Sequence, residues 1–274
     1  MSHPTLVTCM LLFALGIGGC TSMETTETPK EIPEIRPGIL MGYTPLDDPM
    51  DSKAFVPPAP APDSARQAMD DAVAREMLTL RGSPRWQLAI RDAHLGFPGA
   101  ADTFSCALGM PITEDDTPEL YMLLRRTLAD LGLASYSAKN AYQRERPFMV
   151  NGQPICTPEE EEMLRGDGSY PSGHTAIGWG WALILSELAP DRAEALLDRG
   201  RAFGESRNVC NVHWGSDVIA GRMVGAAAVA RLHTNEEFTA AMVAARKEVA
   251  SMREKGLPPA RDCAQESQAL ATGR

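Results

Sequence analysis

Apolar residues recur at intervals of three and four through much of the chain after residue 64. The clearest stretch opens at Thr117-Pro118-Glu119, where Leu120, Leu123, Leu124, Thr127, Leu128 and Leu131 fall on one stripe of a helix. Residues 64–81 read as a helix capped by Asp63 or Ser64 and closed at Gly82. Pro84 suits the first turn of a second helix that runs to about His94. Further helices are predicted at 133–145, 158–164, 174–188, 191–205, 216–233 and 235–254. No run sustains the two-residue alternation of a strand. The predicted fold class is therefore all-α, a compact multi-helix bundle over residues 64–255. Small residues at Gly221, Gly225, Ala226, Ala227 and Ala228 would let two helix backbones approach closely.

The flanks break this pattern. Leu6 to Gly19 is an apolar run too short to span a bilayer comfortably, and it ends in Ile17-Gly18-Gly19-Cys20. Residues 1–20 read as a lipoprotein-type signal peptide with Cys20 as the acylated residue, although the start lacks Lys and Arg. The expectation is an exported protein, periplasmic or anchored to the outer membrane, that touches a membrane only through Cys20. Nine of the 21 prolines fall in residues 21–63, which read as a Pro-rich tether draped on the domain from about Gly42. Residues 256–274, with Pro258 and Pro259, read as a loose tail.

Composition narrows the partners. The 274 residues are 44% hydrophobic and carry a formal net charge of -10. That is enough apolar material for one sizeable core and a poor balance for nucleic-acid binding, which needs basic surface. A cationic pocket would have to be a local arrangement on an acidic background.

Three segments carry chemistry. Lys139 and Arg146 are two helical turns apart, so within one helix both would leave the same face, and Pro147 limits its continuation. Alone, the pair fits a solvated basic surface better than an anion clamp, with Arg144 and Glu145 alongside. Asp167-Gly168-Ser169-Tyr170-Pro171-Ser172-Gly173-His174-Thr175 precedes an apolar helix. Ser172 is a natural N-cap, Gly173 lets a ligand approach the backbone, and the opening amides favour an anion beside His174. In Ser206-Arg207 through His213-Trp214-Gly215-Ser216-Asp217, a carboxylate four residues after a histidine can fix its tautomer, and Arg207 adds a planar cation suited to phosphate oxygens. The inventory suits phosphoryl transfer without a metal. His3, His94 and His233 are assigned no chemistry, and Trp179 and Trp181 read as core or interface.

Setting aside Cys9 and Cys20 leaves Cys106, Cys156, Cys210 and Cys263, which allow three connectivities in an exported chain. Cys156–Cys210 is preferred, because each flanks a segment directed at the same pocket. Cys106–Cys263 then follows.

In order and spacing, the three segments resemble the signature of the type 2 phosphatidic-acid phosphatase and vanadium haloperoxidase superfamily. Within it the chain resembles bacterial class A nonspecific acid phosphatases over about residues 42–252. The likeness includes Ser137-Ala138-Lys139, Arg146-Pro147-Phe148 and Ala230-Arg231-Leu232-His233-Thr234-Asn235. The resemblance implies an exported all-helical enzyme acting on small phosphomonoesters, with an acidic optimum and no cofactor. Lys139, Arg146, Arg207, Ser172, Gly173 and His174 would bind phosphate. His213 would become phosphorylated, Asp217 would orient it, and a charged His174 would protonate the leaving alcohol. Vanadate or phosphate would fit the same pocket as inhibitor or product. Asn211-Val212 departs from the Gly and aromatic common in relatives, which bears on leaving-group preference. A haloperoxidase and a non-enzymatic anion-binding lipoprotein are the alternative readings, and a homodimer or larger homo-oligomer is left open.

Overall fold

The computed structural model describes Met1 and residues 31–272, so the signal peptide, Cys20 and His3 lie outside the described residues. In chain order, an antiparallel hairpin of β1 (Glu34–Arg36) and β2 (Ile39–Leu40) precedes the helices. These are α1 (Ala65–Leu78), α2 (Pro84–Ala93), α3 (Ser105–Leu108), α4 (Pro118–Leu133), α5 (Tyr136–Tyr142), α6 (Pro147–Asn151), α7 (Glu161–Arg165), α8 (Gly173–Leu188), α9 (Ala193–Val209), α10 (Gly215–Leu232), α11 (Glu236–Lys255) and α12 (Cys263–Ala271). The all-α expectation holds, with one small hairpin added among the described residues.

Helix α8 is the axle, packed against α4, α9 and α10. It is apolar on nearly every side, and Ile177, Trp181, Ile184 and Leu185 are all buried. Burying a side chain of that size stabilises by about 1.5–3 kcal/mol. The indole of Trp181 donates to the Leu124 carbonyl and to Thr127 Oγ1, both at 3.2 Å, which joins α8 to the predicted stripe of α4. The small residues of α10 do what their size allows. A Cβ at Gly221 would lie 2.5 Å from the Ser172 carbonyl oxygen, and one at Gly225 would lie 2.5 Å from that of Ala176. Only glycine lets α10 approach the start of α8 this closely, and the approach brings Asp217 to Ser172: Ser172 N donates to the Asp217 carbonyl at 3.1 Å.

Three expectations are corrected. The helix predicted at 133–145 is confined to Tyr136–Tyr142, because Gln143 adopts a left-handed conformation (φ 44°) and Arg146, before Pro147, is extended. The packed part of residues 21–63 begins before Gly42, at the β1–β2 hairpin with its buried Leu40; beyond it Tyr43, Ser52 and Val56 are buried, as a draped segment requires. Asp130 accepts from Tyr43 N at 2.9 Å and Thr44 N at 2.8 Å, and Ala138 N donates to Ser52 Oγ at 3.1 Å. The segment after Gly256 is not loose either. It forms α12, capped by Asp262 and bonded through Cys106–Cys263, and buries Glu266 against Arg199. Both preferred disulfides are present, Cys156–Cys210 with its Cα atoms 4.7 Å apart and Cys106–Cys263 with its Cα atoms 5.5 Å apart. Among the described residues no helix is long and apolar enough to cross a membrane.

Candidate active site

The site is built where the start of α8, the end of α9 and the start of α10 meet. Ser172 caps α8 as its position predicts, its Oγ accepting from Thr175 N at 3.3 Å. Asp217 sits in the first turn of α10, where Oδ2 accepts from Trp214 N at 2.8 Å and so caps that helix. The same oxygen faces His213 Nδ1 at 3.3 Å and accepts from Ser169 Oγ, while Oδ1 accepts from Arg144 Nη1 at 2.6 Å. On the other side of the ring, Arg146 Nη1 lies 3.1 Å from His213 Nε2. A guanidinium can only donate, so Nε2 carries the lone pair and Nδ1 the hydrogen that faces Asp217. This is the tautomer a nucleophilic Nε2 requires.

The expected phosphate ligands converge here, although Lys139 and Arg146 do not share a helix. Lys139 leaves α5, whereas Arg146 precedes α6 beyond the Gln143 break. Their head groups nevertheless meet at one carboxylate: Lys139 Nζ is 3.0 Å and Arg146 Nη2 is 3.1 Å from Asp167 Oδ2. Arg207 differs. It is fully buried near the end of α9, and none of its three side-chain nitrogens has a hydrogen-bond partner among the described residues. Leaving a buried cation in that state is expensive, which marks it as built to receive an anion.

Burial and surrounding cations set the charge states. His213 is held well below its ordinary value of 6.5, first by burial, then by repulsion from Arg146, Lys139 and Arg207. His174 is also held well below it, by burial and then by Arg207. In the protein by itself both imidazoles are thus shifted toward the neutral form, and an anion beside them would offset the nearby cations. The His174 Nε2 hydrogen is donated to the Ala93 carbonyl at 2.9 Å, which leaves Nδ1 as the basic nitrogen. Burial lowers Lys139 to about 8 and Arg207 to about 10. Burial pushes the Asp217 carboxyl up, opposed by Arg144 and by the Ser169 and Trp214 donors.

Sequence reasoning missed several members of the site. Arg144, read as part of a solvated surface, buries its guanidinium between Asp217 at 2.6 Å and Asp70 of α1 at 2.7 Å. Ser169 binds the Asp217 carboxylate, and Asn208 Nδ2 donates to the His213 carbonyl at 2.9 Å. One general signal could have found Arg144: a buried carboxylate needs a cation, and Arg144 is the basic residue beside the motif not already assigned to phosphate. Asn211, the departure from a common Gly, sits at φ 61°, a conformation that Asn tolerates better than most side chains. His94 and His233 cap the ends of α2 and α10, and Trp181 is core.

A helical bundle that gathers buried cations beside two imidazoles defines a class, and comparison agrees: residues 120–238 match the PAP2 superfamily, to which this chain belongs. It is similar to the non-specific acid phosphatase of Providencia stuartii, 44% identical over 205 residues, or 74% of this chain and 83% of the relative. It is also similar to the acid phosphatase of Zymomonas mobilis, 39% identical over 92% of each chain, and to the non-specific acid phosphatase of Salmonella typhimurium, 42% identical over 74% of this chain and 82% of the relative. Within the superfamily the chain is an acid phosphatase of the class A nonspecific group.

Proposed function

We propose that the enzyme hydrolyses small phosphomonoesters without a metal, through a phosphohistidine at His213, and works best at acidic pH. The observation that carries this reading is Arg207, a buried guanidinium with no bonded partner among the described residues, close enough to both imidazoles to add its repulsion to the depression that burial causes. A phosphoryl group supplies the missing negative charge. Arg207, Lys139 and Arg146 hold its equatorial oxygens, together with the amides at the Ser172-Gly173-His174 turn. The carboxylates of the site support this division of labour. Asp217 is engaged by Arg144, which keeps its charge off the phosphate cations; Asp167 engages Lys139 and Arg146, and Arg207 alone of the three has no bonded partner among the described residues.

In the first step the Nε2 lone pair of His213 attacks phosphorus in line. An Nε2–P bond forms, the bond from phosphorus to the ester oxygen breaks, and Nδ1–H of a protonated His174 passes its proton to the departing alkoxide. In the second step water attacks the phosphohistidine while His174 Nδ1 takes a proton from it. The N–P bond breaks and inorganic phosphate leaves. Asp217 steadies the positive charge of the phosphorylated ring through Nδ1–H. The acidic optimum follows from the two histidines. Burial, helped by the neighbouring cations, lowers His213 and favours its neutral form, and a bound phosphate dianion offsets Arg207 and lets His174 accept its proton.

The two disulfides suit an oxidising compartment. With the apolar leader they support export, with Cys20 as the proposed lipid attachment. The test of the chemistry is hydrolysis of a chromogenic phosphomonoester in excess chelator by wild type and His213→Ala, followed by acid-quenched labelling. Turnover that survives chelation and vanishes in the variant, with label on His213, is expected. A metal requirement or an active variant would refute the mechanism.

A further inference from the structure

Resting on that reading of the site, we propose that Asp167 is a built-in competitor of phosphate. Its carboxylate lies where phosphoryl oxygens must sit to reach Lys139 and Arg146, so substrate binds and product stays only by displacing it.

Three observations separate a competitor from a residue that merely positions the two cations. First, the backbone already fixes them. Lys139 Nζ donates to the Gly168 carbonyl at 2.7 Å. Arg146 Nε donates to the Leu164 carbonyl at 2.9 Å and to the Asp167 carbonyl at 3.0 Å, and Nη1 donates to the Val212 carbonyl at 2.9 Å. Second, one oxygen, Oδ2, receives both cations, as a single phosphoryl oxygen would. Third, the side chain is at the solvent end of the cluster. Asp167 is 31% exposed, against 4% for Lys139 and 1% for Arg146. It can therefore swing toward water while the cations stay in place. Arg207, by contrast, has no carboxylate bonded to it among the described residues, so Asp167 blunts part of the cradle and leaves the rest open.

The consequence is a divided effect on catalysis. A resident carboxylate weakens substrate and product alike, and it matters most for product, because inorganic phosphate has no leaving group to add contacts elsewhere. The device limits product inhibition in an enzyme whose pocket would otherwise hold phosphate tightly.

The test measures the Kd of inorganic phosphate by calorimetry, and KM, kcat and product inhibition with a chromogenic monoester, for wild type, Asp167→Asn and Asp167→Ala. Loss of one opposing charge predicts phosphate binding about 10- to 100-fold tighter in both variants, with a matching fall in KM and in the phosphate inhibition constant, and no rise in kcat. Two variants of different shape guard against a folding defect in either one. Weaker phosphate binding in the variants would make Asp167 a support for the lysine and arginine. Unchanged binding would mean that it does not compete, and either result overturns the inference. If wild type neither binds phosphate nor turns over the ester, it is the reading of the site that fails.

Discussion

Helix α9 carries two buried arginines two turns apart, and they live in opposite surroundings. Arg199 faces Asp92 at 2.5 Å and Glu266 at 3.4 Å, and these carboxylates raise its pKa despite complete burial. Arg207 has no bonded partner among the described residues, and burial lowers it to about 10. The first arginine is neutralised by the protein, although its Nε makes no hydrogen bond: its carboxylate partners arrive from α2 and α12, and the Cys106–Cys263 bond holds α12 in place. On the proposed reading of the site, the second is completed by the phosphoryl group of the substrate. Buried charge of the same kind on the same helix would then serve stability at one end and binding at the other, the difference lying in who supplies the anion.

Substitution should separate the two roles. Arg199→Met removes the buried cation between Asp92 and Glu266 and leaves them with Ser206 and Arg261 as partners, so it should lower unfolding free energy by about 3 kcal/mol in a denaturant titration. Its effect on turnover under native conditions should be smaller than that of Arg207→Met. That variant should lose about 10²–10³-fold in kcat/KM while unfolding at a denaturant concentration no lower than wild type, because it removes a cation that burial penalises. If Arg207→Met unfolds early and keeps its activity, the assignments are reversed.

The histidines sharpen the comparison through pH. Both are depressed in the folded protein, so below their ordinary value of 6.5 the unfolded chain binds protons that the native state refuses. Stability from this source is complete above that pH and is lost as pH falls through it, by up to about 1.4 kcal/mol per pH unit for each imidazole. Thermal midpoints measured downward from neutral pH should fall, and inorganic phosphate should flatten the slope by allowing His174 its proton. An equally steep slope in a His174→Asn, His213→Asn variant would assign the effect to other groups. The smallest effect is local: Ser172→Ala removes the α8 cap and should cost about 1 kcal/mol of stability, read in the same denaturant assay.

What the sequence conveyed of this site was what lies within one or two turns of chain. Ser172 as a cap, the His213–Asp217 spacing and the glycines of α10 follow from local geometry, and so does the stripe of α4. Lys139 and Arg146 do come together, but not for the reason their spacing suggests. They meet because Gln143 breaks the helix and Arg146 turns back, which a spacing of seven does not reveal. Arg144 looked solvated because its carboxylate partners come from α1 and α10, remote from it in sequence. The tail looked loose because Glu266 finds Arg199 only in three dimensions, and the prolines at 258 and 259 mark a turn before α12. Buried ion pairs between distant elements are the part of the fold that periodicity does not carry.

The most direct measurement is a calorimetric titration of inorganic phosphate, in chelator, into wild type and Arg207→Met. If the unpartnered guanidinium is completed by phosphate, wild type binds and the variant binds at least about 100-fold more weakly. Equal affinity in the two proteins would contradict the account, because the buried cation at its centre would then have no part in holding the anion.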